Sequence, residues 1–182
     1  DRPNVVVVMA DDMRVDDLAF APHLRRLVAE KGISFENSFS PFPLCCPSRA
    51  SFLTGQYAHN HKVWWHDPPY GYGAFDDSRT VATSLQDAGY RTGFIGKYLN
   101  RYGLAPSKVT GEPSARYVPN GWDDWRGAVE PPAESEIHGS TYDYMDTPFN
   151  VNGEIDNSYR GVYQSDVLGD MSVDMSRRFA RG

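Results

Sequence analysis

The chain has 182 residues, 40% hydrophobic and 23% charged, which is enough apolar material for one globular domain with a real core. Its net charge of −6 argues against a nucleic-acid footprint, which needs a basic patch, and no apolar run approaches the ~20 residues of a membrane span. Two adjacent cysteines, Cys45 and Cys46, cannot build a disulfide framework and leave the redox compartment open. No signal peptide is visible, and a chain opening Asp1-Arg2-Pro3-Asn4 without Met reads as a mature or trimmed product.

Residues 4–10 form a continuous apolar run, Val5 to Met9 at its centre, which predicts a central strand buried on both faces, of the parallel α/β kind. The run ends at Asp11-Asp12. Residues 22–31 carry Leu24, Leu27 and Val28 at helical spacing, with Gly32 to close the helix. Residues 33–39 alternate apolar and polar, as a half-buried strand does. Pro47 then suits the first position of a helix that Ala50, Phe52 and Leu53 continue and Gly55 terminates. Cys45 falls just outside that N-terminus, where free N–H groups and the dipole favour negative charge. Arg49 sits at the wrong end of a helix for a cation, which suggests that it reaches back toward an anion.

Residues 57–75 are rich in His, Trp, Tyr, Pro and Gly and predict a long loop over a site. Residues 78–88 predict a helix with Val81 and Leu85 inward and Gly89 at its end. Residues 90–95 then form a strand whose carboxyl end delivers Gly96-Lys97. Residues 101–136 hold many prolines and glycines and predict irregular structure, whereas residues 141–149 and 154–159 flank Asn152-Gly153, a hairpin turn signal. Tyr163, Val167, Met171, Met175 and Phe179 recur at i, i+4 and mark an amphipathic helix over 163–180, its stripe core-facing. The β-α-β order predicts an open α/β sheet that binds ligands at the carboxyl edge of its strands.

Chemistry concentrates at a few positions. Two carboxylates ~5 Å apart, as Asp11 and Asp12 can be where the chain leaves a sheet, repel by roughly 3 kcal/mol at an effective dielectric near 20. A divalent cation removes that conflict, and hard oxygen ligands favour Ca2+ or Mg2+. A receiver domain also pairs acids after its first strand, but the region of its phospho-accepting Asp reads Leu53-Thr54-Gly55-Gln56-Tyr57 here, without an Asp. His59, His61 and His66 lack a further ligand at zinc spacing. Trp64 and Trp65 suit either stacking on a sugar ring or packing within the loop. Taken singly, Cys45 and Arg49 read equally as a buried thiol beside a surface arginine.

Two longer stretches narrow these readings. Cys45-x-Pro47-x-Arg49, extended through Leu53-Thr54-Gly55, and Gly89-Tyr90-Arg91-Thr92-Gly93-Phe94-Ile95-Gly96-Lys97 resemble, in the expected order, the two signatures of the type I, formylglycine-dependent sulfatases. The resemblance implies an alkaline-phosphatase-like α/β fold, a mostly parallel sheet flanked by helices. It selects Cys45, not Cys46, as the residue oxidised to formylglycine by a formylglycine-generating enzyme. It implies Asp11, Asp12 and the group at Cys45 as ligands of Ca2+, with Mg2+ second. Cys45, Arg49 and Lys97 become the catalytic set, the two cations stabilising the formylglycine and the sulfate oxygens. His61 at a pocket mouth and Asn100 would contact substrate. In such a site the hydrated aldehyde is the nucleophile toward sulfur, and its second hydroxyl allows sulfate to leave.

Arylsulfatases often carry a histidine two residues after this lysine, but position 99 is Leu. Gly96-Lys97-Tyr98-Leu99-Asn100, Cys45-Cys46-Pro47-Ser48-Arg49, His59-Asn60-His61, Gly121-Trp122-Asp123-Asp124-Trp125 and Tyr163-Gln164-Ser165-Asp166-Val167-Leu168 instead resemble the N-acetylglucosamine-6-sulfatase and heparan 6-O-endosulfatase branch. That branch implies a sulfated amino sugar or glycosaminoglycan as substrate and a secreted, periplasmic or lysosomal location. In the family a second metal pair, a pocket histidine and another lysine lie further along than residue 182. Residues 1–182 are therefore expected to be the amino-terminal portion of a single catalytic domain, incomplete for activity alone. Phosphodiester or phosphonate hydrolysis within the same superfamily, and anion binding without turnover, are the alternatives.

Overall fold

Gly93–Lys97 (β1) pairs in parallel with Asp124–Ala128 (β2), Gly93 opposite Asp124 and Lys97 opposite Ala128. In this computed structural model, which describes residues 2–181, β2 continues antiparallel to Phe149–Val151 (β3), which turns back antiparallel into Glu154–Asp156 (β4). The sheet order is β1-β2-β3-β4, so the sheet is mixed, with one parallel pair, where a mostly parallel one was expected. The turn of the β3–β4 hairpin falls at Asn152-Gly153 as expected, although the first strand is Phe149–Val151 rather than residues 141–149. Asn152 and Gly153 have φ of 52° and 98°, the paired positive values of a type I′ turn, whose twist matches that of the strands.

The chain divides into two units at Ser40/Pro41. The second holds the sheet and helices Cys45–Thr54 (α2), Ala58–His61 (α3), Val81–Asp87 (α4) and Gln164–Phe179 (α5). Helix α5 is the expected amphipathic one: Val167, Met171 and Met175 are buried, and Val167 and Met171 cluster with Ala128 of β2 and Phe149 of β3. Helix α4 begins at Thr80, whose N–H donates to Thr83 Oγ1 at 2.9 Å. Its inward residue is Ala82 rather than Val81, which is exposed.

In the first unit an α-helical turn at Pro22–Leu24 (α1) runs into a π-helical stretch at Arg25–Ala29, where a continuous helix was expected, and a 3-10 helix forms at Val15–Phe20. The expected strands at 4–10 and 33–39 are not formed. Val5 to Val8 are 58–83% exposed and no strand pairs with them among the described residues. Apolarity signals that a segment favours burial; a strand exists only where a ladder partner supplies its hydrogen bonds.

Strand β2 lies inside the stretch expected to be irregular. Its signal is hidden because its buried positions are polar as well as apolar. Asp124 accepts from Arg178 of α5 and lies 3.4 Å from Arg126, while Arg126 donates to Asp174 at 2.8 Å. Burial opposes the charge on Asp124, but these two arginines outweigh it and hold its carboxyl below the usual range. On the opposite face Trp125 is fully buried, stacked on Phe94 of β1 at 4.5 Å and edged by Tyr98 at 5.0 Å. Its Nε1 donates to the Tyr102 hydroxyl at 2.9 Å, which also accepts from Asn150 Nδ2 at 2.9 Å and donates to the Tyr117 carbonyl at 2.5 Å. The Trp125, Tyr102 and Asn150 side chains thus cross-link this part of the core through paired polar atoms.

Asp77 stands out in this core. It is buried, accepts from the Tyr117 hydroxyl at 2.8 Å, and has no partner for Oδ2 among the described residues. Burial pushes its pKa up from 3.8 to about 6, with Asp76 adding to the rise and the Tyr117 and Tyr98 hydroxyls opposing it; Tyr72 and Tyr102 are the other titratable neighbours. A raised carboxylate pKa means that the folded state holds the proton longer than the unfolded one, so stability falls as pH rises from about 4 to about 6. Asp77→Asn removes that penalty and offers an N–H to the neighbouring hydroxyls. It is expected to stabilise the protein on the order of 3 kcal/mol at pH 7.5 and hardly at all at pH 4, as urea unfolding at the two pH values will read. Equal effects at both would contradict it.

Candidate active site

Helix α2 organises the site. Leu44 is its extended N-cap, without a side-chain cap, and Cys45 is its first helical residue. Pro47 is therefore third in the helix rather than first, still within the opening turn whose N–H groups have no intrahelical acceptor. Gly55 ends the helix with φ of 69°, as expected. Cys46, Ala50 and Leu53, at i, i+4 and i+7, face the core and are buried. That registration turns Cys45 by about 100° off the core axis, and its thiol is half-buried. Burial pushes the Cys46 thiol up to about 12, so it stays protonated and unreactive.

Cys46 also reports its surroundings. Its thiol has a backbone hydrogen bond with Asn100 and feels the charges of Lys97, Cys45 and Arg49. Lys97 is the last residue of β1, and Arg49 of α2 reaches its carbonyl. Arg49, 9% exposed, points from α2 to that end, where Nη1 donates to the Lys97 carbonyl at 2.5 Å and the Tyr98 carbonyl at 3.4 Å. The cation that conflicts with its own helix dipole is held by carbonyls at the strand terminus. Gly96, inside β1 and with φ of 100°, takes a backbone conformation that favours glycine, one residue before Lys97. The Lys97 ammonium lies over the Tyr142 ring, 5.2 Å from its centroid. Asn100 Nδ2 donates to the Tyr142 hydroxyl at 2.6 Å. No sequence signal singled out Tyr142; its loop is joined to the site only by the tertiary fold.

His61 has different contacts from those expected at a pocket mouth. It is 8% exposed, Nδ1 accepts the Val63 N–H at 3.1 Å, and Nε2 lies 3.0 Å from Ser51 Oγ. An acceptor role at Nδ1 puts the proton on Nε2, which then donates to Ser51. Burial lowers the pKa and keeps the ring neutral. His61 braces α3 against α2, and both ring nitrogens are engaged within the protein. His59 stacks on Tyr57 at 5.8 Å, and no cluster of three metal-ligating side chains among the described residues includes a histidine. Trp64 packs edge-on against Phe42 at 6.3 Å, and Trp65 tilts against His66 at 5.6 Å, so both take part in loop packing.

Asp11 and Asp12 belong to the first unit, exposed at a bend where Asp12 adopts φ of 55°. Two consecutive exposed carboxylates form a hard-oxygen donor set, which suits a divalent cation of the Ca2+ or Mg2+ type.

The family model described as Sulfatase matches residues 3–149. The chain belongs to the sulfatase family. Among its relatives, the extracellular sulfatase SULF-1 homolog of Drosophila melanogaster is 33% identical over 99% of this chain and 15% of its own length. The N-acetylglucosamine-6-sulfatase of Homo sapiens is 33% identical over 95% of this chain and 31% of its own length. The solved structure of BT4656 in complex with its substrate D-glucosamine-2-N,6-O-disulfate superposes with a TM-score of 0.57 at 25% identity, covering 86% of this chain and 26% of that one. This sulfatase chain thus spans less than a third of the length of each of these proteins, and the likeness supports an alkaline-phosphatase-like α/β fold. No helix among the described residues is long and apolar enough to cross a membrane.

Proposed function

We propose that this chain is the amino-terminal portion of a single sulfatase catalytic domain, residues 1–182, whose enzyme hydrolyses sulfate esters on a sulfated amino sugar or glycosaminoglycan. The observation that carries this reading is that Arg49, one helical turn after Cys45 in α2, donates to the Lys97 and Tyr98 carbonyls at the end of β1. A half-buried cysteine and two cations thus belong to one helix–strand junction, in a family of sulfate-ester hydrolases. Relatives named for N-acetylglucosamine 6-sulfate, and a neighbour solved with a 6-O-sulfated glucosamine, support the substrate class.

In this reading, as the family resemblance implies, Asp11, Asp12 and the group derived from Cys45 would hold Ca2+, with Mg2+ the lesser candidate, and Cys45 would be converted to formylglycine by a formylglycine-generating enzyme. The metal and the formylglycine would together supply a polarised oxygen nucleophile for sulfur. The protein's own residues do the rest. Arg49 is held in place by two carbonyls, so it balances developing negative charge without reorganising. Lys97 adds a compact charge for a sulfate oxygen, and Asn100 a neutral hydrogen bond. An extracellular name among the relatives agrees with a secreted, periplasmic or lysosomal setting.

Mass spectrometry of the Cys45 peptide tests the reading. The protein, co-produced with a formylglycine-generating enzyme, is expected to carry an aldehyde at Cys45 and an intact thiol at Cys46. A persistent thiol at Cys45 contradicts the enzyme and favours an anion binder without turnover.

A further inference from the structure

Lys97 and Asn100 leave the end of β1 three residues apart and turn to the same aromatic side chain. The Lys97 ammonium takes the ring face of Tyr142, and the Asn100 amide takes its hydroxyl. The loop that carries Tyr142 is pinned beside it. The Thr141 N–H donates to the Val129 carbonyl at 2.9 Å, and Gln164 at the start of α5 donates Nε2 to the Thr141 carbonyl at 3.1 Å. The Tyr142 N–H donates to Ser140 Oγ at 3.3 Å. Tyr142 itself remains 47% exposed, so it stands between a rigid support and solvent.

The second observation concerns Asn100. Its side chain is 9% exposed, and Oδ1 is buried with no partner among the described residues. A buried polar edge left unpaired is costly and points to a group outside the described chain. A half-turn of the amide exchanges its donor and acceptor edges, and a tyrosine hydroxyl serves either, because it both donates and accepts. With the hydroxyl donating to Oδ1, the amide presents N–H to an anion.

We propose that Tyr142 is the positioning residue of the anion site: its ring seats the Lys97 ammonium, and its hydroxyl sets which edge of Asn100 meets a sulfate oxygen. This rests on the sulfate-ester reading above and adds to it the residue that aims two of its ligands. Aromatic face and hydroxyl make separate contributions, and two substitutions separate them. Y142F keeps the ring and removes the hydroxyl; Y142L removes both.

Calorimetric titration with inorganic sulfate and steady-state kinetics on glucosamine 6-sulfate are read on the full protein. Y142F is expected to weaken sulfate binding and raise KM about tenfold, the scale of one hydrogen bond to a charged ligand, with kcat within roughly twofold of wild type. Y142L adds a fall in kcat of about tenfold as Lys97 loses its seat. Thermal unfolding of Y142F at the wild-type midpoint shows that the effect is local, and if Y142L does not fold, the KM-against-kcat split of Y142F decides alone. Wild-type sulfate affinity in Y142F, or equal loss of kcat in both variants, overturns the assignment. Graded sulfate affinities without any wild-type turnover would refute the sulfatase reading and leave the role of Tyr142 standing; turnover with ungraded affinities would do the reverse.

Discussion

Cys45→Ala is expected to lower turnover of a sulfated glucosamine by roughly a thousandfold or more, the scale lost when a covalent nucleophile is removed, with little change in stability. Cys45 lies on the shoulder of α2 and is absent from the packed cluster that holds Cys46, Ala50 and Leu53. Truncating it therefore opens no core cavity. The neighbouring substitution behaves in the opposite way. Cys46→Ala removes a fully buried sulfur and is expected to cost about 1–2 kcal/mol of stability while kcat stays close to wild type. Parallel measurement of kcat and thermal unfolding checks the pair. Similar loss of turnover in both variants would contradict the assignment of the reactive position.

Arg49→Met is expected to reduce turnover by about a hundredfold, as removal of a preorganised electrostatic donor does, and also to destabilise the fold by about 2–3 kcal/mol. Both effects have one cause. The guanidinium is nearly buried and donates to the Lys97 and Tyr98 carbonyls, so its loss strips two strand-end acceptors of their partner and frees the chain that carries Lys97. Arg49→Lys keeps the charge but loses the planar fork. It should restore part of the stability and less of the turnover. Kinetics with urea unfolding on the three proteins separates the contributions; a lysine variant with full wild-type kcat would show that geometry at Arg49 is irrelevant.

These expectations also show what was legible in the residues. The site's local parts were: Cys45 beside a helix start, Gly55 as its terminator, Lys97 at a strand end, the Asn152-Gly153 hairpin and the Val167, Met171, Met175 stripe all follow from short-range periodicity and turn chemistry. What escaped was fixed by long-range contacts. Arg49 read as reaching for an anion, because a cation at a helix N-terminus is anomalous; its bonds to β1 carbonyls, 48 and 49 residues away, leave no trace in the local pattern. Tyr142 meets Asn100 across 42 residues of chain and lies under the Lys97 ammonium, contacts that no local pattern records. Strand β2 was hidden by buried Asp124 and half-buried Arg126, polar residues for which α5 supplies counter-charges. His61 reads as a residue of the pocket mouth, while its bonds to Ser51 and Val63, which brace α3 against α2, come from the tertiary fold. The valine run at 5–8 reads as a buried strand, and the structure shows neither burial nor strand there, since a ladder partner is not encoded in the segment that needs one.

The most direct test of the account is release of inorganic sulfate from glucosamine 6-sulfate by the full-length, formylglycine-matured protein with Ca2+ present, set beside its Cys45→Ala variant and a phosphodiester substrate. Sulfate release that vanishes in the variant and exceeds phosphodiester cleavage is the predicted result. Phosphodiester cleavage without sulfate release, or sulfate release that survives loss of Cys45, would contradict it.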